Sequence, residues 1–571
     1  MVVKRRLGVL LAGTVLGTSF LIAAPAFADD AQMQQQINAM QRQLQTMQAQ
    51  LAQTKKDAAA AQQQASTAQQ QASTAQQQAS TAQQQVQNIP PNLYNADLPI
   101  PTKGPAWFDT VHISLAGTFI AAEGVFRARN EISSGASDPP FGTIPFQNSP
   151  LWSENEFRMS AQQSRIAFKA TGDIDPAQHL KGYFEMDFLG AAQTANSRES
   201  NSYTPRMRQA YFAYDNDNYH FHMSAGQEWS LLTQNRVGML NGTENTPLTI
   251  DAQYVVGFNW SRQPAIRFVE DWNQIAWFGV SVESSQTAFA SNGAAVAGTP
   301  NTGLTVPPGL SVNATNTCNA AGLLDSITSC SNNIAPDVIE KFALDPGWGH
   351  YEALGLQRVF TDQISPAGVL NQWSQKTTFG WGVGGNALMP VWPKFIDLQG
   401  SVLYGQGIGR YASSQLADAT IGPNGQVLPI TAVQFLVGGV AHPFAGNDIY
   451  VYYGQEQTQR NAWTVGGVSG GWGNLAFAES GCGNAAAAAG LISPAAFNMA
   501  TATCTANIQR AQELTVGFWQ DVYKGDLGRV RFGVQYEFVQ LDLFNGTGSV
   551  AGGLHPNNNI VFFSARYYPF N

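Results

Sequence analysis

Val530-Arg531-Phe532-Gly533-Val534-Gln535-Tyr536-Glu537-Phe538 alternates apolar with polar or small residues without a slip. A period of two is that of a β-strand with two unlike faces. The pattern recurs in Leu514, Val516 and Phe518 against Glu513, Thr515 and Trp519. It returns in Val561, Phe563, Ala565 and Tyr567 against Ser564 and Arg566. In a soluble sandwich the apolar face looks inward. In an outer-membrane barrel it looks to lipid, and the polar face lines the inside.

Connection lengths decide between the two. Strands read at about 110–129, 156–171, 178–189, 205–214, 219–229, 260–271, 274–284, 338–346, 350–361, 376–390, 394–406, 431–442, 448–458, 511–523, 528–542 and 559–570. Long gaps follow the odd-numbered strands and short ones the even-numbered strands. The short ones are turn-forming: GDIDPAQ, DNDN, DWNQ, PGWG, PVWPK, PFAGND and KGDLG. Long loops on one side, short turns on the other and an even strand number make the pattern of a bacterial outer-membrane barrel. The expected fold is therefore an all-β transmembrane barrel of about 16 antiparallel strands over residues 110–571, wide enough for water.

What precedes the barrel fixes the compartment. Lys4, Arg5 and Arg6, the apolar stretch Leu7 to Ile22, and Ala26-Phe27-Ala28 read as a signal peptide over 1–28, cut before Asp29. No Cys near the cleavage site marks a lipoprotein, and no later run of about 18 apolar residues can form a spanning helix. From Met33 to Ile89 a seam repeats on steps of four and three: Met33, Ile37, Met40, Leu44, Met47, Leu51, Thr54, Ala58 and on through alanines to Val86 and Ile89. That 3.5-residue period is an α-helical coiled coil over 29–89, extending roughly 85 Å. Its bare methyl stripe needs partner helices, so the chain reads as an oligomer before any barrel is drawn. A low-complexity tether is the bland alternative. A Pro-rich linker over 90–109 joins coil to barrel.

Charged residues are 12% of the chain, about half the usual share, while Gly numbers 55 and aromatics reach 11%. Mean hydropathy is −0.16, which fits neither a helical membrane protein nor a highly charged soluble one. Removing Lys4, Arg5 and Arg6 takes the formal charge from −9 to −12 and argues against nucleic acid as a partner. Cys318 with Cys330 and Cys482 with Cys504 fall in the fourth and seventh long gaps, without CxxC spacing or nearby His. Two local disulfides in an oxidising compartment are expected, and no zinc or other metal site.

Such a pore does no covalent chemistry, so no catalytic residue and no cofactor is expected. Its task is to offset the cost of confining a charged solute, which fixed wall charges do when a low-dielectric rim focuses their field. With Ile166 and Phe168 toward lipid, Arg165 and Lys169 point inward. The same parity turns Arg267, Arg531 and Arg566 inward. Arg206 and Arg208 share one face. Arg262 has the opposite parity to Arg267 and falls to a loop or bend near Pro264. The third long gap, about Leu231 to Asn259, is the one expected to fold inside, bringing Arg236, Glu244 and Asp251. Any single Arg of this set is read first as a wall residue paired with a nearby carboxylate. Together they read as a basic ladder. His220 and His222 lie on one strand face, with no third metal donor in view. Trp381, Trp392 and Trp519 keep an oligosaccharide pore in play as an alternative.

Four segments carry a resemblance: Ser164-Arg165-Ile166-Ala167-Phe168-Lys169, Arg208-Gln209-Ala210-Tyr211, Gly226-Gln227-Glu228-Trp229-Ser230, and Ser261-Arg262-Gln263-Pro264-Ala265-Ile266-Arg267-Phe268. With the order signal, coil, linker and barrel, the chain resembles the DcaP-like family of trimeric outer-membrane porins. The resemblance implies a homotrimer in outer-membrane lipid, with the coil in the periplasm, passing small polar solutes and favouring anions such as dicarboxylates. One departure is the end of the chain, where Asn571 follows Phe570 and such barrels close on an aromatic residue. A structural tether or adhesin, with the barrel as mere anchor, is the rival reading.

Overall fold

In the computed structural model the described residues are 111–131, 141, 144–147, 149–190, 204–251, 253–289, 305–318, 328–369, 372–479, 505–548 and 554–570. Signal peptide, coil and linker lie outside them, as do Cys482 and Cys504.

Sixteen antiparallel stretches follow one another. The first two are each interrupted once: β1 comprises Val111–Ser114 and Ile120–Arg127, and β2 comprises Glu156–Ser160 and Ile166–Asp175. Next come β3 (Gln178–Gly190), β4 (Thr204–Asn216), β5 (Phe221–Trp229), β6 (Arg262–Trp272), β7 (Ala276–Glu283) and β8 (Asp337–Leu344). The second half is β9 (His350–Pro366), β10 (Ser374–Trp392), β11 (Ile396–Gln406), β12 (Thr431–Ala441), β13 (Asn447–Thr458), β14 (Ile508–Gly525), β15 (Gly528–Leu543) and β16 (Asn557–Tyr568). Each pairs with the next, from β2 with β3 through β15 with β16. Both pieces of β1 pair with β2. β16 pairs back onto β1, Phe563 opposite Gly124, so the ladder returns to its start. These bounds fall within a few residues of those read from alternation, and long connections again alternate with short ones.

Side-chain burial inverts the rule of soluble proteins. In β6, Ile266 and Phe268 are exposed while Ala265, Arg267 and Val269 are buried. In β14, Leu514, Val516 and Phe518 are exposed while Glu513, Thr515 and Trp519 are buried. An apolar outer face with a polar, hydrogen-bonded inner one fits lipid outside. No helix among the described residues is long and apolar enough to cross a membrane, which leaves strands untouched as a means of crossing.

The apolar core inside the ring forms where inward-turning loops pack against the wall. Loop L3 (230–261) brings Ile250, Val255, Val256 and Phe258 against Leu436, Tyr450, Tyr452, Trp519 and Phe562. Its first half sets Leu231, Leu232 and Met239 against Val269, Trp277, Ile339 and Leu354. Gly257 has φ +81°, and a Cβ there would overlap the carbonyl of Phe435, while one on Gly454 would overlap that of Val256. Only glycine lets the two backbones lie so close. Loop L6 (407–430) also turns inward, burying Ile408, Tyr411, Leu416, Ile421, Val427 and Ile430. From the sequence, only L3 is assigned to the interior. L6 ties to L3 where Trp260 N–H donates to Tyr411 O at 2.9 Å and Trp260 Nε1 to Ser413 Oγ at 3.0 Å.

Candidate functional site: a basic cavity beside the third loop

L3 lies along the wall and is pinned by polar groups at its whole length. Lys341 of β8 donates to Thr233 O at 2.8 Å and Asn235 Oδ1 at 3.0 Å. Gly238 N–H reaches Asp345 Oδ2, at the short turn after β8, at 2.9 Å. On the opposite wall, Ile250 N–H donates to Gln535 Oε1 at 2.6 Å, Val256 N–H to Glu513 at 3.0 Å and Gly257 N–H to Glu456 at 2.9 Å. Orphan backbone donors of a loop are satisfied by inward side chains of β13 to β15. The loop therefore spans the interior from β8 to β13–β15 and leaves open the half lined by β2 to β4 and β16, with inward side chains of β14 and β15 at its border.

A cavity of about 560 Å³ occupies the open half. Seven basic side chains line it, Arg165, Lys169, Lys181, Arg208, Arg236, Arg531 and Arg566, against two acidic ones, Glu185 and Glu244. Tyr183, Tyr211 and Tyr568, with the buried Phe119, Trp229 and Trp519, complete the wall.

Five of the residues singled out by parity or loop position, Arg165, Lys169, Arg236, Arg531 and Arg566, line this cavity, and so does Arg208. Their surroundings differ. Arg566 Nη2 lies 2.7 Å from Glu123 Oε1 and also donates to Ile250 O. Arg531 pairs with Asp448 at 2.6 Å and Asp521 at 3.3 Å. Arg208 holds Glu185 and lies 3.0 Å from Asp187. Arg165 is looser, 3.5 Å from Glu185. Lys169 and Arg236 have no ion-pair partner among the described residues, and both are exposed. Lys181, missed in the sequence, shares its face with Tyr183 and Glu185 and donates to Asn241 O at 2.8 Å. The parity test applied to β3 finds it.

Three others lie elsewhere. Arg206 binds Asp187 through two nitrogens, at 3.0 and 2.7 Å, and Tyr254 OH at 3.1 Å, outside the cavity lining. Arg267 points inward but sits beneath L3, donating to Met239 O at 3.3 Å and to Trp229 O, with Glu228 at 3.8 Å. It holds the loop and does not face the cavity. Arg262 is the first residue of β6, paired with Trp229, and not a loop residue. Its guanidinium lies over Trp229 at 5.0 Å and Trp260 at 5.4 Å.

The side chain of His222 sits between Asp215 at 2.8 Å and Asp271 at 3.1 Å, so carboxylates the sequence reading did not see are at hand. His220 is in the turn, with φ +53°, not on the strand. Among the described residues no group of three or more such side chains has the geometry of a metal site. Trp381 and Trp392 are exposed at 41% and 61% on their strand, and Trp519 is buried at 2%. None offers an open inward ring face of the kind a sugar slide needs. Cys318 and Cys330 lie on the two arms of one hairpin, Thr315–Cys318 with Thr328–Ser331, where Asn316 faces Cys330.

No family profile matches this sequence, and no curated protein sequence does. The structure superposes on the outer-membrane channel DcaP of Acinetobacter baumannii with a TM-score of 0.51 at 16% identity, over 80% of this chain and 97% of that one. The chain has the DcaP fold. The resemblance thus holds for the strand-built part of the chain. Pseudomonas putida OprB superposes at 0.41 with 10% identity, over 81% and 94% of the two chains. Salmonella typhi OmpF superposes at 0.40 with 11% identity, over 80% and 97%.

Proposed function

We propose that the cyclic sheet is a 16-stranded barrel in the bacterial outer membrane and that the chain is a porin. It forms a water-filled path for passive diffusion of small hydrophilic solutes, favours anions such as dicarboxylates, and performs no covalent chemistry. The observation that carries this is the cavity lining of seven basic and two acidic side chains. In a narrow path walled by low dielectric, such an excess outweighs a net protein charge of the other sign, because only near charges act on a confined solute. Two carboxylates on one solute can meet two basic groups at once, which favours dicarboxylates. Glu244, reaching into the cavity from L3, faces the basic wall of β2 and β3 and adds a transverse field. The coil over 29–89 assembles three copies in the periplasm, and Cys318 with Cys330 and Cys482 with Cys504 close local disulfides in the outer loops.

Reversal potentials in a planar bilayer under a KCl gradient test the reading. Chloride should be preferred over potassium, and the preference should shrink with added salt as the screening length falls below ~10 Å. Lys169→Gln with Arg236→Gln should reduce it, since these two cations have no described partner. Insertion without conductance steps removes the pore and favours a tether or adhesin. Cation preference in the unaltered protein removes the anion reading.

A further inference from the structure

Three cavity arginines and two aromatic rings form one alternating series along the wall. Arg165 of the β2 interruption lies over Phe119 at 5.1 Å, and Arg566 of β16 lies over the same ring at 5.1 Å. Arg566 also lies over Trp519 of β14 at 4.8 Å, and Arg531 of β15 over Trp519 at 4.9 Å. The order is Arg165, Phe119, Arg566, Trp519, Arg531, and all five line the cavity. Both rings are fixed. Phe119 N–H and Arg165 N–H donate to each other's carbonyls at 3.0 and 2.8 Å where β1 and β2 are interrupted. Trp519 Nε1 donates to Leu248 O of L3 at 2.7 Å. The two rings are 4% and 2% exposed.

From this series we infer that Phe119 and Trp519 are specificity-determining residues of the channel, positioning the three guanidiniums although neither ring carries charge. The inference rests on the anion-favouring reading above. Like charges crowded on one wall repel, and each has a carboxylate within reach that can draw it flat: Glu185 for Arg165, Glu123 for Arg566, Asp448 and Asp521 for Arg531. An aromatic face is negative and attracts a cation within about 6 Å. A ring between two arginines therefore attracts both, offsets part of their repulsion and fixes where each guanidinium sits as it pairs with its carboxylate. Arg566 turns its N–H edge to Glu123 and Ile250 O and Arg531 its own to Asp448 and Asp521, so the edge left to meet a solute carboxylate is chiefly that of Arg165, 3.5 Å from Glu185. The cation–π contacts occupy the rings, so they are closed to carbohydrate. The series selects small planar oxyanions and rejects neutral sugars.

The test compares four variants with the unaltered full-length protein in bilayers: Phe119→Leu, Trp519→Leu, Phe119→Tyr and Trp519→Phe. Each leucine variant removes two cation–π contacts and should lower the chloride-to-potassium permeability ratio about five- to thirtyfold. Each aromatic variant should stay near the unaltered ratio. Trp519→Phe lacks the bond to Leu248, so its retention assigns the effect to the ring. Unchanged ratios in the leucine variants overturn the inference, and so does an equal loss in leucine and aromatic variants, which would point to packing. Should Phe119→Leu fail to assemble, the Trp519 pair alone decides. Cation preference in the unaltered protein defeats the anion reading itself, a result distinct from either.

Discussion

Asp251 sits where L3 meets β15, fully buried, accepting from Gln535 Nε2 at 3.0 Å through Oδ1 and lying against the carboxyl of Glu537. Glu513 and Glu537 face it from β14 and β15, and the nearby guanidinium of Arg566 is turned to Glu123 and Ile250 O. Burial pushes its carboxyl up to about 6. Relative to an unfolded value of about 3.9, the folded loop holds an extra proton between roughly pH 4 and 6. By linkage the stability tied to that proton, which Asp251 shares with Glu513 and Glu537, is complete below pH 4 and lost as pH rises through 6. Asp251→Asn keeps the acceptor for Gln535 and removes the charge. Its thermal midpoint in detergent should match the unaltered protein at pH 4 and lie several degrees higher at pH 7.5; parallel curves across that range would refute the argument. At this scale the sequence was half legible. Parity told which way Arg165, Arg531 and Arg566 point, because the pleat has a strict period. It was silent on partners, since the carboxylate that meets Arg566 lies 443 residues away. It was silent too on depth, so Arg267 was assigned to the cavity although L3 covers it.

Among elements, strands were legible to within a few residues, and so was the inward course of L3. L6 was not, yet a loop carrying Ile408, Tyr411, Leu416, Ile421, Val427 and Ile430 is too apolar to lie in water, and that was the signal available. Its anchor is Arg358 of β9, fully buried, with Nε 3.1 Å from Asp337 and Nη1 3.0 Å from Asp418, and with the carbonyls of Gly407 and Gln286 as further acceptors. Tyr411 OH adds a bond to Asp337 at 2.6 Å. Arg358→Met strands two buried carboxylates, a loss of about 3–5 kcal/mol when one partner of a buried pair is removed. Melting should fall accordingly, and single-channel current should become noisier as L6 loosens beside L3. Adding Asp418→Asn should restore part of the midpoint. A single variant as stable and quiet as the unaltered protein would show that L6 is held by its apolar residues alone.

For the whole molecule, the charges divide by position. A chain of formal charge −9 pairs some of its acids with the wall arginines, places others against L3, and shows the cavity a basic excess. Composition averages over the two, which is why the sum said little about selectivity. The proposed coil is the remaining piece, and its seam argues a division of labour. Met33, Ile37, Met40, Leu44, Met47 and Leu51 can fill the core of a three-helix coil, whereas the alanines from Ala58 to Ala82 would bury one methyl each in it. At roughly 0.8 kcal/mol or less per buried methyl, the second half holds far more weakly than the first. Assembly strength should thus reside at the end farthest in sequence from the barrel, with the alanine half acting as a spacer. Deleting 29–89 should lower the heat stability of the oligomer in detergent and leave unit conductance nearly unchanged. Deleting 58–89 alone should cost much less stability. Equal losses from the two deletions would refute the division between halves. A large change in conductance from either would mean instead that the coil enters or gates the channel.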